Sequence, residues 1–485
     1  MYMGCNINPG TWKTLCFPGA GLLFLFLVGA SAAAADPLAS NNGLYPAHDD
    51  PDPEKNYTGP FNIANLDYPS VRPERVWVPG GGVVEDGLTP DKALAYMNAL
   101  KDYLEASSLR PLIDAPTTWD ARSAGWYDMV WLGAGDMGPD GGVDPTSGRE
   151  AIMNTYGGQI VPSDSWAAPY RPTTDWMQNY GVIYYDALAA TTLKQVWADV
   201  YNPNLAELDF PDGSIVAKIE AATVQPDQWP SPETGSVLAG AAKWTVFRPT
   251  TEAQKAHQLD PDTKLVNVVQ TIYPFQWAIK VKDSRAAPET GWVFMAFVDD
   301  ARGKGDTPWD RFVPAGAMWG NDPDSATRPD GRTQNGALTE TWVNPDAPPF
   351  FADTLGWGGR LAAPMDVALR HNVILPSGQR VTGADGFRAS SCLSCHGTSE
   401  YPFTVNLYPS PNRTFPPDGM PFPMFQPGSL QWAEWFKNRP GNDPQSPNIG
   451  GIALDYDLST MFALGTFAGA TGKKGFAFER FHVHH

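Results

Sequence analysis

The sequence predicts a mixed fold: an antiparallel β-rich, sandwich-like region followed by a small C-terminal domain built mainly of helices and loops. Three observations carry this expectation. From residue 181 the chain runs through segments rich in Val, Ile, Trp, Phe and Thr, separated by Pro, Gly and Asp turns at hairpin-like spacing. No helical pattern interrupts them, which argues for an antiparallel sheet or sandwich. Beyond about residue 345 the texture changes to loops and short helices, and 18 Trp with 47 Pro point to loops pinned on aromatic clusters.

Taken in order, residues 1–35 read as a secretory signal peptide. Lys13 supplies a basic start, Leu15–Ala30 an apolar run, and Ser31 with four alanines a small-residue cleavage site after Ala35. A membrane anchor is the competing reading. The run falls short of the ~20 residues a span needs and contains Pro18 and three glycines. No later apolar run is long enough to cross a bilayer, so no membrane span is expected after signal removal. Export follows, with a periplasmic or otherwise extracytoplasmic location.

Residues 36–180 are expected to be loop-rich with one helix. Thr89 is its N-cap, Pro90 its first residue, and Ala93, Tyr96, Met97, Leu100, Tyr103 and Leu104 share one face. Residues 181–345 form the β-rich domain: Gly181–Tyr185, Ser214–Val224, Lys243–Arg248, Lys264–Tyr273, Phe275–Lys282, Trp292–Val298 and Arg311–Trp319. His257 falls in a polar loop there and is expected to be solvent-exposed. Asp136, Asp140 and Asp144 sit in a Gly-rich loop, but their spacing lacks the closing Glu of a calcium loop and reads as a solvated turn. Residues 346–485 make the C-terminal domain, with helices over Ser429–Asn438 and Ala453–Phe467.

The net charge of −19 disfavours nucleic acid and anionic membrane as partners and suits a basic patch on a partner protein. Two of the four cysteines, Cys5 and Cys16, lie in the signal segment. The remaining pair leaves nothing for structural disulfides, so stability must come from core burial.

That pair is Cys392-Leu393-Ser394-Cys395-His396, a Cys-x-x-Cys-His motif. Thiols three residues apart on a helical turn can each form a thioether to a haem vinyl group, and the next imidazole is placed under the iron. A redox dithiol should sit after a strand and open a long helix, and no strand pattern precedes Ser391. A zinc ribbon needs a second Cys pair, which the chain lacks.

At this motif the chain resembles the c-type cytochromes, specifically over Ser391–Gly397 and more loosely over the rest of the C-terminal region. The resemblance implies a cytochrome c-like domain with one covalent haem c on Cys392 and Cys395 and His396 as proximal iron ligand. Small members often draw the sixth ligand from a Met in a Pro-rich loop before a Trp-bearing helix. Gly419-Met420-Pro421-Phe422-Pro423-Met424, followed by Ser429–Phe436, is similar, which implies Met420 as distal ligand and Met424 as second choice. One departure is that only 24 positions separate His396 from Met420, fewer than the family uses. Met461, 65 positions on, is closer to the usual spacing but sits within a helix where a core role is commoner. His371, His482, His484 and His485 are further candidates. Thr290–Phe294 and Met318–Pro323 extend the likeness to bacterial exported proteins that join a β-rich region to one C-terminal haem c.

The expected function is electron transfer with a redox partner protein of the cell envelope, cycling Fe(II) and Fe(III). Size motivates two rivals. One is a haem-dependent, peroxidase-like oxidoreductase with an open sixth position. The other is a partner- or carbohydrate-docking module with the haem as its electron outlet.

Overall fold

Alternation along the strands sets the architecture. The computed structural model describes residues 45–132, 149–260, 262–303, 305–332, 336–365, 373–381, 388–412, 421–445 and 451–471. Its principal sheet contains β1 (Tyr156–Pro162), β2 (Trp176–Tyr185), β3 (Ile215–Ala222), β4 (Trp244–Arg248), β5 (Val268–Lys282), β6 (Trp292–Asp299), β7 (Phe312–Met318) and β8 (Thr341–Val343). The order is β1-β2-β3-β5-β6-β7-β8, with β4 on the first part of β5. Every pairing in this sheet is antiparallel.

Both faces are buried. On β6, Trp292, Phe294, Ala296 and Val298 join one apolar cluster, while Val293, Met295 and Phe297 join another. β3 divides in the same way, with Val216 and Ala222 on the first side and Ile215, Ala217, Ile219 and Ala221 on the second. Successive strand residues point to opposite faces, so a strand covered on both sides reads as a nearly continuous apolar run.

Helices and loops supply the cover. α1 (Pro90–Ala106) packs Ala93, Tyr96, Met97, Leu100 and Leu104 into the second cluster, as its spacing predicts. It is followed by the short α2 (Arg110–Asp114) and α3 (Ala121–Ala124). α4 (Ala187–Val196) lies against the first cluster, capped by Asp186, which accepts from the Ala189 amide. α5 (Thr251–Leu259) precedes β5 and α6 (Pro308–Arg311) precedes β7. The C-terminal segment adds α7 (Cys392–His396), α8 (Leu430–Trp435) and α9 (Leu458–Thr471). It also adds short strands β9 (Val373–Ile374), β10 (Arg380–Val381), β11 (Glu400–Tyr401), β12 (Phe422–Pro423) and β13 (Ile452–Ala453). β9, β10 and β12 form one small sheet, and β11 and β13 another. The described residues group as one compact unit.

Several expectations are corrected. Among the described residues the strands make one principal sheet covered by helices and loops, instead of a sandwich of two large sheets. The strand series is interrupted by α4 and α5, whose Asp186 and Thr250 caps were not read as helix starts. β1 lies in the stretch expected to be loop, because its two glycines and terminal proline mask the strand pattern. That stretch also holds α2 and α3 beside the expected α1.

The segments predicted as Lys264–Tyr273 and Phe275–Lys282 fuse into the single 15-residue β5. Pro274 sits where the β3–β5 register shifts, between the pairs Glu220–Gln276 and Ala221–Pro274. A bulge tolerates a residue without an amide proton, so the proline does not end the strand. His257 lies half-buried on α5, with Nδ1 2.7 Å from the Thr263 carbonyl, so it is neither in a loop nor fully exposed.

No helix among the described residues is long and apolar enough to cross a membrane. The segments 1–35, 133–148, which holds Asp136, Asp140 and Asp144, and 472–485 lie outside those residues, as do His371 and Met420.

Candidate functional site

α7 is only five residues long, so its surroundings must hold it. Ser391 caps it in a reciprocal capping box with Ser394. The Ser391 hydroxyl also reaches Asn321 Oδ1 at 3.0 Å. The Cys392 amide donates to the Leu361 carbonyl (2.9 Å), and the Trp357 amide donates to the Ser390 carbonyl (3.0 Å). At Gly356 any Cβ would overlap that Ser390 carbonyl, so the approach requires glycine.

Behind this turn Arg360 is fully buried. It donates to the carbonyls of Asn321, Asp322, Gly331 and Trp357, and its guanidinium lies 4.7 Å from the Trp357 ring centroid. Burial pulls it down to about 10, opposed by Asp322 and Glu340. This clamp joins the loop around 321–331 to the segment that leads into α7.

Cys392 and Cys395 are half-buried and are not joined in a disulfide. The His396 ring packs 4.9 Å from Phe294 of β6, centroid to centroid. His396 Nδ1 lies 2.8 Å from the Tyr456 carbonyl oxygen. A carbonyl only accepts, so the proton is assigned to Nδ1, and Nε2 is the nitrogen with a lone pair for a metal.

The segment Asp455-Tyr456-Asp457 that supplies this carbonyl ties the site to the sheet. Asp455 and Tyr456 have left-handed φ values of 45° and 61°. A left-handed pair of non-glycine residues is costly unless its surroundings fix it, and here they do. Lys280 Nζ of β5 donates to the Tyr456 carbonyl (2.9 Å) and to Asp457 Oδ1 (2.9 Å). Lys282 Nζ donates to Asp455 Oδ1 at 2.6 Å, and Trp292 Nε1 donates to the same oxygen at 2.8 Å. Asp457 further accepts from the Tyr185 hydroxyl (2.9 Å) and from the Thr460 amide (3.1 Å) and hydroxyl (2.6 Å).

Burial alone would raise the Asp457 carboxyl, but Lys280, Thr460 and Tyr185 together hold it below its ordinary value. Burial lowers the Lys280 ammonium, opposed chiefly by Asp457. The carboxylate is the better-determined partner, since several donors favour its ionised form.

The methionine candidates separate. Met424 is buried with Val373, Phe422, Trp432 and Phe436, and its amide donates to the Ile374 carbonyl at 3.0 Å. Met461 is buried on α9, in the cluster that also holds Leu393 of α7.

Whether these residues suit a haem can be judged from the donor set. Two thiols and an imidazole share one helical turn, with Nδ1 already tied down, the usual support of a metal-bound histidine. Three positions after His396, Ser399 Oγ is buried with no hydrogen-bond partner among the described residues. Buried polar atoms are seldom left so, and this hydroxyl is suited to a group that brings its own oxygens. Cys392, Cys395 and His396 are the residues that would hold a haem c. Among the described residues no group of three or more His, Cys, Asp or Glu side chains gathers to hold a metal ion.

A scan against protein-family models matches none, and searches of curated proteins and of solved structures return no match.

Sequence reasoning missed the Lys280/Lys282–Asp455/Asp457 network. A signal was present: two lysines at i and i+2 within an otherwise apolar strand must leave their shared face uncovered or meet anions there.

Proposed function

We propose that this protein is an exported electron carrier with one haem c, attached through Cys392 and Cys395 and ligated by His396 Nε2. The observation that carries the reading is the Cys-x-x-Cys-His turn with its imidazole oriented by the Tyr456 carbonyl at 2.8 Å. A haem held there supplies a one-electron Fe(III)/Fe(II) couple. The chain's own contribution is to fix the ring, exclude water through Phe294, Leu393 and Tyr456, and keep the neighbouring charges paired. Met420, or Met424 as the alternative, would supply the second protein ligand to the iron. Met461, buried on α9, is the remaining alternative. The partner is a redox protein of the cell envelope with a basic docking surface, and the location is periplasmic or otherwise exported.

The test is maturation of the full chain with the c-haem assembly machinery, followed by a pyridine haemochrome spectrum. Covalent haem at one per chain, lost in Cys392→Ala/Cys395→Ala, supports the reading. A chain that stays colourless under conditions that mature a control cytochrome overturns it. A high-spin ferric spectrum shifted by cyanide would keep the haem but replace the carrier by the peroxidase-like oxidoreductase.

A further inference from the structure

Two hydrogen-bond donors meet on one carbonyl oxygen beneath the Cys-x-x-Cys-His turn. The Tyr456 carbonyl accepts from His396 Nδ1 at 2.8 Å and from the Lys280 ammonium at 2.9 Å. Its two lone pairs can serve both. They do not serve both equally, because an ammonium is a charge-assisted donor and draws electron density from the oxygen that the imidazole N–H also uses. Lys280 cannot turn away to water. It is 5% exposed, paired with Asp457, and lies 4.8 Å from the Trp292 ring centroid.

We infer that Lys280 is a positioning residue that raises the reduction potential of an iron bound to His396, by weakening the Nδ1–H···O=C bond of that imidazole. The inference rests on the haem reading above and deepens it. A strong hydrogen bond from Nδ1 gives the imidazole more anionic character and makes it a better donor to iron, which favours the ferric state. A weakened bond favours the ferrous state. Asp457 balances the ammonium's charge at 2.9 Å, so the influence of the pair passes through the shared carbonyl and not through a bare positive charge. Lys282 offers a built-in control. It forms an equivalent pair with Asp455 at 2.6 Å, two residues along the same strand, and its hydrogen bond goes to that carboxylate and not to the Tyr456 carbonyl.

The experiment is redox titration of the full-length, haem-loaded chain in four forms: unchanged, Lys280→Met/Asp457→Asn, Lys282→Met/Asp455→Asn, and Lys280→Gln/Asp457→Asn. At the unchanged protein's midpoint, the first double variant should shift the Fe(II)/Fe(III) ratio toward ferric on the order of tenfold. The Lys282 pair should move it by no more than about twofold, since it leaves the imidazole's acceptor alone. NMR exchange of the His396 Nδ1 proton should slow in the Lys280 double variant, because its hydrogen bond strengthens; mere loosening of the site would speed it. An unchanged or raised potential, or faster exchange, overturns the role of Lys280. Should the double variant fail to fold, Lys280→Gln/Asp457→Asn decides: it removes the same two charges with polar side chains and should lower the potential and slow the exchange in the same way, and a raised or unchanged potential overturns the inference. The haemochrome spectrum of each sample separates the two failures. Absence of haem sinks the function reading and this inference with it, whereas haem with an indifferent potential sinks only this one.

Discussion

The two faces of the principal sheet solve the same problem, a buried aspartate, by different chemistry. On the face covered by α1, Asp283 accepts from the Gly80 amide (2.7 Å), the Tyr96 hydroxyl (2.7 Å), the Trp77 indole (3.3 Å) and the Ala286 amide (2.9 Å). Those donors are neutral. On the face that carries His396, Asp455 and Asp457 are each met by a lysine ammonium from β5. Neutral donors bind one carboxylate and leave a net charge in the interior, whereas an ammonium cancels it. The face beneath the candidate haem turn holds paired charges at fixed positions, and fixed charges are what tune a redox centre.

The contrast can be broken first at Asp457. Asp457→Ala leaves the Lys280 ammonium buried without its counter-ion and should cost about 3–5 kcal/mol, read from urea unfolding. A loss under about 1 kcal/mol would mean that water or another anion reaches Lys280 and that the pair is not the anchor described here. On the opposite face, Leu100→Ala removes a fully buried side chain of α1 and should cost about 2–4 kcal/mol. It should leave the potential of a haem bound at His396 where it was. Any potential shift from that distance would mean that the two faces are coupled through the sheet.

Acid sharpens the comparison further. The Asp457 carboxyl is held below its ordinary value in the folded state, so the unfolded chain takes up its proton at a higher pH than the folded one. Its contribution is therefore fully present above the ordinary carboxylate range, near about pH 4, and is lost as the pH falls through the folded value. Asp457→Asn should flatten the acid limb of stability against pH, and an unchanged limb would assign acid lability elsewhere. The smallest effect is expected at Thr89. Its hydroxyl makes no cap bond to the backbone of α1. Thr89→Ala should stay within about 0.5 kcal/mol by thermal unfolding, against the larger loss of a true capping residue.

Much of the fold was legible because its signals are local. The spacing of Ala93, Tyr96, Met97, Leu100 and Leu104 defines α1, and β-branched and aromatic runs mark β2, β3, β4, β6 and β7. α4 was not legible: Ala187–Val196 is short and apolar between two strands, so nothing but Asp186 announces it. The layering was out of reach as well. A strand buried on both faces has lost the alternation that shows which side is covered, and by what. At the site, Cys392, Cys395 and His396 are a contiguous motif and were read directly. Lys280 and Asp457 are 177 positions apart, and only the tertiary fold brings them together.

The irregularity at Pro274 has a consequence for all of this. Before it, even-numbered Ile272 faces the α1 side and odd-numbered Tyr273 and Phe275 face the other. After it the parity is reversed, with Trp277, Ile279 and Val281 toward α1 and the even-numbered residues toward His396. The bulge is a half-period phase slip in the pleat. Without that slip, the same strand would point both ammonium groups into the apolar layer beneath α1 and leave Asp455 and Asp457 unanswered. One inserted residue thus acts as the switch that decides which side of the molecule is electrically equipped.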